Sequence, residues 1–147
     1  MKIRTIIIAL IATTTLALAH TGATGIVKQR MDGMSSLAQS MKALAEMSKT
    51  DSIDKNQVIE IARQIKDQSG KSMTQRFPVG QQQMISEASP AIWENWQLFE
   101  QMSDELFQAA AALETSAAVG DMDLNLAIKQ MGAICSACHK DFRIKKK

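Results

Sequence analysis

Apolar residues near the start of the chain recur at spacings that alternate between three and four. The segment with this pattern runs from about Thr24 to Met47. Such spacing lines up the apolar side chains along one stripe of a helix with about 3.6 residues per turn. The pattern therefore predicts a first helix that buries the stripe formed by Val27, Met31, Met34, Ala38, Met41 and Ala45.

A second segment has both a start signal and a stop signal for a helix. Asp54 followed by Gln57 is similar to a capping box, and Gly70 is placed to end the helix. The apolar positions between these signals are Val58, Ile61, Ala62 and Ile65. Residues 71 to 89 show no sustained period, which predicts a long connection that has room for a helical turn and is of a length that is often functional.

A third helix is predicted after this connection. Ser89 supplies an N-cap, Pro90 suits the first helical position, and Gly120 suits the end. The predicted seam of this helix is uninterrupted and consists of Ile92, Trp96, Phe99, Ser103, Leu106, Ala110, Leu113 and Ala117.

A fourth helix is predicted to start after Asp121, which we interpret as its N-cap. Its apolar stripe consists of Leu124, Ile128, Met131, Cys135, Cys138 and Phe142. None of the four helices can hide its stripe alone, so the pattern predicts an all-α, antiparallel four-helix bundle.

Composition supports a helical domain. With 7 Gly and 2 Pro, the chain has too few turn residues for a sandwich of many short strands. An apolar content of 46% with 22% charged residues is too rich in core residues for a disordered chain.

The amino terminus is predicted to be a targeting segment. Lys2 and Arg4 precede an apolar run, and residues 17 to 19 read Ala-Leu-Ala, which is typical of a signal-peptide cleavage site. The run is short for a membrane span of about 20 apolar residues. We therefore predict that residues 1–19 are cleaved and that residues 20–147 form the bundle in the periplasm without a membrane anchor.

Cleavage changes the charge of the protein. The whole chain has 17 basic and 15 acidic residues, and removal of Lys2 and Arg4 leaves 15 of each. A formally neutral chain does not have the excess positive charge of a nucleic-acid-binding protein. We therefore predict no nucleic-acid partner.

The residue types with the most specific chemistry are concentrated in the last predicted helix, at Cys135, Cys138 and His139. Residues 135 and 138 lie on the same side of a helix, and residue 139 lies one turn beyond residue 135. Cys-x-x-Cys-His is the attachment signature of c-type haem, in which each thiol forms a thioether and the histidine ligates the iron.

Other uses of the motif fit less well. A thioredoxin-like dithiol needs a strand-turn-helix setting, which the predicted helices do not provide. A zinc site needs a fourth ligand, and the chain offers no other internal histidine. A disulfide between residues three apart on a helix is strained. The sequence therefore predicts one covalently attached haem c per chain.

The position of this motif near the carboxyl terminus is typical of one family. The chain resembles the cytochrome c′ family, the class II c-type cytochromes, over essentially the whole predicted mature chain. The resemblance rests on Val27-Lys28-Gln29-Arg30 with Met34, Ala91-Ile92-Trp93 with Phe99, Gly120-Asp121, and Cys-x-x-Cys-His-x-x-Phe-Arg ending at Arg143. It implies a four-helix bundle with His139 as the proximal iron ligand.

The resemblance leaves two interpretations of the distal face open. It places Met34 over the iron, four residues after Arg30. In the low-spin members of the cytochrome c-556 type, a methionine of helix one ligates the iron and the protein carries electrons. In cytochrome c′ proper, the distal side chain only blocks the site, and the high-spin haem admits small gases such as nitric oxide. One-electron transfer is the leading prediction.

The resemblance also suggests further haem contacts. It places Arg30 beside the haem propionates, which suits a guanidinium, with Met31 next to it. It places Glu87 near the haem, and it suggests that Arg143 shields the proximal side or contacts a propionate. Many family members are homodimers through helices one and two, whereas the sequence names no redox partner.

The chain lacks hydrolytic and phosphate-binding motifs, since it has no Gly-rich loop after a strand and no Ser/His/Asp set. We therefore predict a haem-binding electron carrier rather than an enzyme.

Overall fold

A computed structural model describes residues 23–80 and 86–144. The predicted signal peptide and the last three lysines lie outside the described residues. Six helices follow one another in the described parts: α1 (Gly25–Met47), α2 (Lys55–Gln68), α3 (Lys71–Thr74), α4 (Ala91–Glu94), α5 (Trp96–Val119) and α6 (Leu124–Phe142).

The four long helices form a closed bundle. Helix α1 packs against α2, α2 against α5, α5 against α6, and α6 against α1. Each contributes fully buried or nearly fully buried apolar side chains, such as Leu44, Ile65, Leu106 and Met131. The short links between α1 and α2 and between α5 and α6 make those neighbours antiparallel. The predicted all-α four-helix bundle is confirmed, and no helix in the described part is long and apolar enough to cross a membrane.

The predicted stripe of α1 is correct at the buried Val27, but it is wrong at Ala38 and omits two buried leucines. Ala38 is exposed, whereas Leu37 and Leu44 are buried. The buried side of α1 also includes polar or small residues, namely Arg30, Gly33 and Ser40. An apolar pattern could not detect this side because a buried arginine, glycine and serine interrupt it.

The third predicted helix is broken near its start. Ser89 Oγ accepts a hydrogen bond from the Ala91 amide at 3.2 Å, in keeping with the predicted cap. The backbone of Asn95 then leaves the helical region, with φ −126° and ψ 48°, and separates α4 from α5. The prediction of an uninterrupted helix was wrong at this residue. Asparagine favours such a break because its side chain, which donates to the Ala91 carbonyl at 3.3 Å, competes for backbone hydrogen bonds.

The remaining helix ends follow aspartate and glycine signals. The Asp54 carboxylate caps α2 by accepting from the Asn56 amide at 2.9 Å, and Gly120 ends α5 in the left-handed region at φ 79°. The cap of α6 is Asp123, whose carboxylate accepts from the Leu126 amide at 2.9 Å. The prediction that Asp121 caps this helix was wrong. Asp121 and Asp123 are only two residues apart, and the path of the backbone determines which of them is the cap.

A pair of reciprocal hydrogen bonds ties the end of α2 to α5. The Gly70 amide donates to the Ser103 carbonyl at 3.0 Å, and the Ser103 hydroxyl donates to the Gly70 carbonyl at 3.0 Å. Gly70 has φ +57°, and a Cβ there would lie 3.4 Å from the Cβ of Phe107. The two hydrogen bonds between Gly70 and Ser103 thus fix the start of the long connection against α5.

Ser103→Ala should destabilise the bundle by about 0.5–1.5 kcal/mol because it removes one buried hydrogen bond, while the Gly70 carbonyl keeps the Met73 and Thr74 amides as donors. Urea denaturation followed by circular dichroism measures this loss. Ser116→Ala is the matched control, since the Ser116 hydroxyl donates within its own helix to the Leu113 carbonyl. Equal losses in the two variants would contradict the assignment.

A charged cluster joins α2 to α5 on the outside of the bundle. The Glu114 carboxylate accepts from Lys66 Nζ at 2.8 Å and from Arg63 Nε at 2.8 Å. The hydrogen bonds from Lys66, and then those from Arg63, hold the pKa of the Glu114 carboxyl below its usual value. A carboxyl whose pKa is lowered on folding stabilises the fold above its unfolded pKa, and this stabilisation is lost as the pH falls through the folded pKa.

Glu114→Gln should therefore lower the melting temperature at neutral pH, and its difference from the wild type should shrink as the solution is acidified below the usual carboxyl range. Thermal unfolding across a pH series measures this difference. Glu100→Gln changes an exposed carboxylate on the same helix and serves as the control. A difference between wild type and Glu114→Gln that grows in acid would contradict the sign.

Candidate haem site

The motif residues lie near the end of α6. Cys135 and Cys138 are half-buried and pack against the hydrophobic core, on the helix face that also carries the buried Met131 and Phe142. Both cysteines are free thiols, and His139 is exposed. The structure thus directs two thiols toward the bundle and places the imidazole at its surface, all within about one helical turn.

The environment of the thiols argues against a redox dithiol. Burial raises the pKa of Cys135, and burial together with the charges of Cys135 and Asp141 raises the pKa of Cys138 to about 11. A disulfide oxidoreductase needs a thiol with a lowered pKa. Among the described residues, no group of three or more His, Cys, Asp or Glu side chains could hold a metal ion by itself. Both cysteines are free thiols, as the formation of two thioethers to haem requires.

The state of His139 suits an iron ligand. Partial burial and the positive charge of Arg143 lower the pKa of the imidazole, and the negative charge of Glu87 acts in the opposite direction. A lowered pKa favours the neutral imidazole, which is the form that binds a metal. Two thiols and a neutral imidazole on adjacent turns therefore fit the donor set of a c-type haem.

Arg30 is the buried charge of α1. Its Nε donates to the Arg76 carbonyl, and its guanidinium lies 4.7 Å from the centroid of the Phe77 ring and 5.9 Å from that of Trp93. Burial lowers the pKa of Arg30, but a guanidinium stays charged in proteins. The structure therefore keeps a positive charge inside the bundle, next to the segment that follows α3.

The two candidate methionines of α1 differ in position. Met34 is half-buried and packs against the core cluster that Cys135 and Cys138 also contact. Met31 is half-buried, and the described core cluster does not include it. The structure thus places Met34, rather than Met31, on the core-facing side, while an iron contact by either stays a prediction.

Glu87 and Arg143 form one unit. Arg143 Nη2 and Nε lie 2.6 Å and 2.7 Å from Glu87 Oε2. Two backbone hydrogen bonds join the same two segments. The Ser89 amide donates to the Phe142 carbonyl at 2.9 Å, and the Ile144 amide donates to the Glu87 carbonyl at 2.8 Å. The sequence suggested each charged residue separately as a haem contact and missed their pairing, since no local pattern links residues 56 positions apart.

Sequence analysis also missed the contribution of Phe77. This residue is buried, its ring packs edge-on against Phe99 at 4.9 Å, and Phe99 packs in turn against Phe142 at 5.4 Å. The Trp93 indole donates to the Phe77 carbonyl at 3.0 Å. A large apolar residue directly before Pro78 was the available signal that the connection enters the core.

Fold and donor set together define a c-type cytochrome in which the haem motif lies on the last helix of a four-helix bundle. The family model for cytochrome c′ matches residues 25–143, which include all four long helices. The chain therefore belongs to the cytochrome c′ family, whose haem c is covalently attached.

Relatives of two kinds match the chain to a similar degree. Cytochrome c-556 of Agrobacterium fabrum (strain C58 / ATCC 33970) is 32% identical over 124 residues, which are 84% of this chain and 84% of the relative. Cytochrome c′ of Rhodospirillum rubrum is 30% identical over 146 residues, 97% of this chain and 99% of the relative. Overall identity therefore does not decide between the two interpretations of Met34.

A solved cytochrome c′ has the same fold. It superposes with a TM-score of 0.73 at 21% identity and covers 82% of this chain and 95% of its own. That protein shows an unusual ligand-controlled dissociation of its dimer. The superposition supports the four-helix architecture of the present chain.

Replacement of both cysteines by alanine should abolish covalent haem attachment, because no thiol then remains to form a thioether. Haem staining after denaturing electrophoresis, together with the intact mass, measures attachment. Each single variant should retain haem through one bond. Ser136→Ala, an exposed change between the two cysteines, is the control and should retain haem fully. Haem that survives denaturation of the double variant would contradict the assignment.

Proposed function

We propose that the protein is a periplasmic one-electron carrier in which Cys135 and Cys138 hold haem c and His139 is the proximal ligand. The observation that carries the proposal is the donor set of α6, two free thiols facing the core and an exposed imidazole one residue beyond. When bound, the haem supplies an iron atom that alternates between the ferric and ferrous states.

The residues of α6 hold the group in a fixed place. Each thiol loses its bond to hydrogen and gains a bond to a vinyl carbon, while the hydrogen goes to the neighbouring carbon of that vinyl group. Because Cys135 and Cys138 lie on a helix whose Met131 and Phe142 are buried, these two attachment points share the rigidity of the core. A fixed site lowers the reorganisation needed when the charge of the iron changes.

The cationic side chain of Arg30 supports the same function from α1. Its guanidinium is buried beside Phe77 and Trp93, where a positive charge favours a nearby carboxylate. A haem propionate is a carboxylate, so we assign Arg30 to a propionate. Met31, on the less buried side of α1, is assigned only to the edge of the site.

Met34 is the sixth ligand in this proposal. Its support is the half-buried position of Met34 against the core that the thiols contact, and the similarity to a cytochrome c-556. A thioether ligand raises the reduction potential relative to an open position and leaves no place for an exogenous ligand.

A second candidate function is binding of a small gas such as nitric oxide at an open sixth position, with Met34 as a wall. Its support is the similarity to the Rhodospirillum rubrum cytochrome c′ over nearly the whole chain. A homodimer of this chain is also proposed, because the superposed cytochrome c′ forms a dimer and the family resemblance points to α1 and α2 as the contact.

The periplasmic location rests on the predicted signal peptide, residues 1–19, which lies outside the described residues. A redox partner from the same compartment is expected.

Met34→Leu separates the two functions. If Met34 ligates the iron, the wild-type ferrous protein should show a sharp low-spin α band that carbon monoxide leaves unchanged, and the variant should become high-spin and bind carbon monoxide. Leucine preserves apolar packing but has no donor atom. Visible spectra of the ferrous proteins measure the change.

Met31→Leu is the matched control and should keep the wild-type spectrum, since Met31 lies outside the core cluster in the described residues. A wild-type protein that is already high-spin and binds carbon monoxide would contradict ligation by Met34 and support the gas-binding function.

A further inference from the structure

The end of α6 is joined to the segment around Glu87 through Arg143, which lies four residues after His139. Arg143 is the C-cap of α6, and its amide donates to the His139 carbonyl at 3.2 Å. Its guanidinium reaches Glu87, with both Nη2 and Nε within 2.7 Å of one carboxylate oxygen. Arg143 therefore connects the proposed iron ligand His139, through its backbone, to the Glu87 carboxylate, through its side chain.

The backbone fixes this arrangement independently of the two side chains. Ala88 and Arg143 form an isolated antiparallel bridge, flanked by the hydrogen bonds from Ser89 to Phe142 and from Ile144 to Glu87. These bonds use main-chain atoms only, so they persist when a side-chain charge is removed. Variants that change only the two charges should therefore keep the local fold.

The ion pair itself contributes little to stability. The Arg143 side chain is 54% exposed and the Glu87 side chain 32% exposed. Water screens the attraction in a pair with this much solvent contact. The more specific consequence is electrostatic: Arg143 lies four residues after His139 and its amide bonds to the His139 carbonyl, so the ion pair lies close to the turn of α6 that carries the imidazole.

We infer that Glu87 is a positioning residue that holds the Arg143 guanidinium beside His139 and offsets its charge, so that the pair sets the reduction potential of the iron. The inference rests on the proposed ligation by His139. Glu87 acts by holding Arg143 and through the field of its own charge, and not by touching the haem, which replaces the separate contacts suggested for the two residues.

The expected signs follow from electrostatics. Reduction adds a negative charge to the iron site, so an uncompensated cation nearby favours the ferrous state and an uncompensated anion favours the ferric state. Glu87→Gln leaves the Arg143 charge alone and should raise the potential. Arg143→Gln removes the cation while Glu87 keeps its negative charge, and it should lower the potential. The double variant has neither charge and should return close to the wild type.

Spectroelectrochemical titration of the haem-loaded full-length proteins tests the inference. Each single variant should change the reduction equilibrium by roughly threefold to tenfold, where tenfold corresponds to about 59 mV for one electron. Glu60→Gln changes an exposed carboxylate on α2. It is the charge-matched control and should leave the potential unchanged. Circular dichroism of every variant checks that the bundle is retained.

Opposite shifts in the single variants, with cancellation in the double variant, support the inference because a purely structural role would not reverse sign. Shifts of the same sign, or no shift beyond that of Glu60→Gln, would overturn it. A wild-type protein that lacks covalent haem, or whose haem spectrum survives His139→Ala unchanged, would instead overturn the proposed function, so the two failures are distinguishable.

Discussion

The structure depends on one helix that serves both the core and the cofactor. Helix α6 buries Leu124, Met131 and Phe142 while keeping the two thiols half-buried and the imidazole exposed. Side chains four and three residues apart share a face, so the spacing that packs the helix also places Cys135 and Cys138 at the edge of the core. The attachment points are as rigid as the bundle because they belong to its packing face.

The other elements of the bundle are adapted to this helix. Phe142 contacts Phe99, which contacts Phe77, so the connection after α3 packs indirectly against the helix that carries the motif. The start of that connection is fixed by the hydrogen bonds between Gly70 and Ser103. Arg30 then lies against Phe77 from the side of α1. A cation is thus held inside the bundle by contacts that do not belong to α6.

The sequence was most informative where a physical signal is local. The Asp54 cap, the Gly120 stop and the apolar seam of α5 each depend on a few neighbouring residues, and the structure agrees with them. The motif at Cys135, Cys138 and His139 is also local, since a single helix supplies all three donors.

Sequence reasoning failed where tertiary contacts decide. The buried side of α1 includes Arg30 and Ser40, whose burial depends on partners elsewhere in the chain and not on hydrophobicity. The break at Asn95 depends on how α4 meets α5, and the pairing of Glu87 with Arg143 joins residues that no periodicity connects. Ligation of the iron by Met34 also depends on the distance from its sulfur to the iron atom, which no one-dimensional pattern contains.

The central claim is that the α6 donor set holds a redox-active c-type haem that exchanges one electron. A reductive titration of the wild-type holoprotein, followed by its visible spectrum and fitted to the Nernst equation, tests it most directly. We expect a single reversible transition of one electron between ferric and ferrous c-type spectra. A protein that takes up no covalent haem, or a haem that cannot be reduced and reoxidised reversibly, would contradict it.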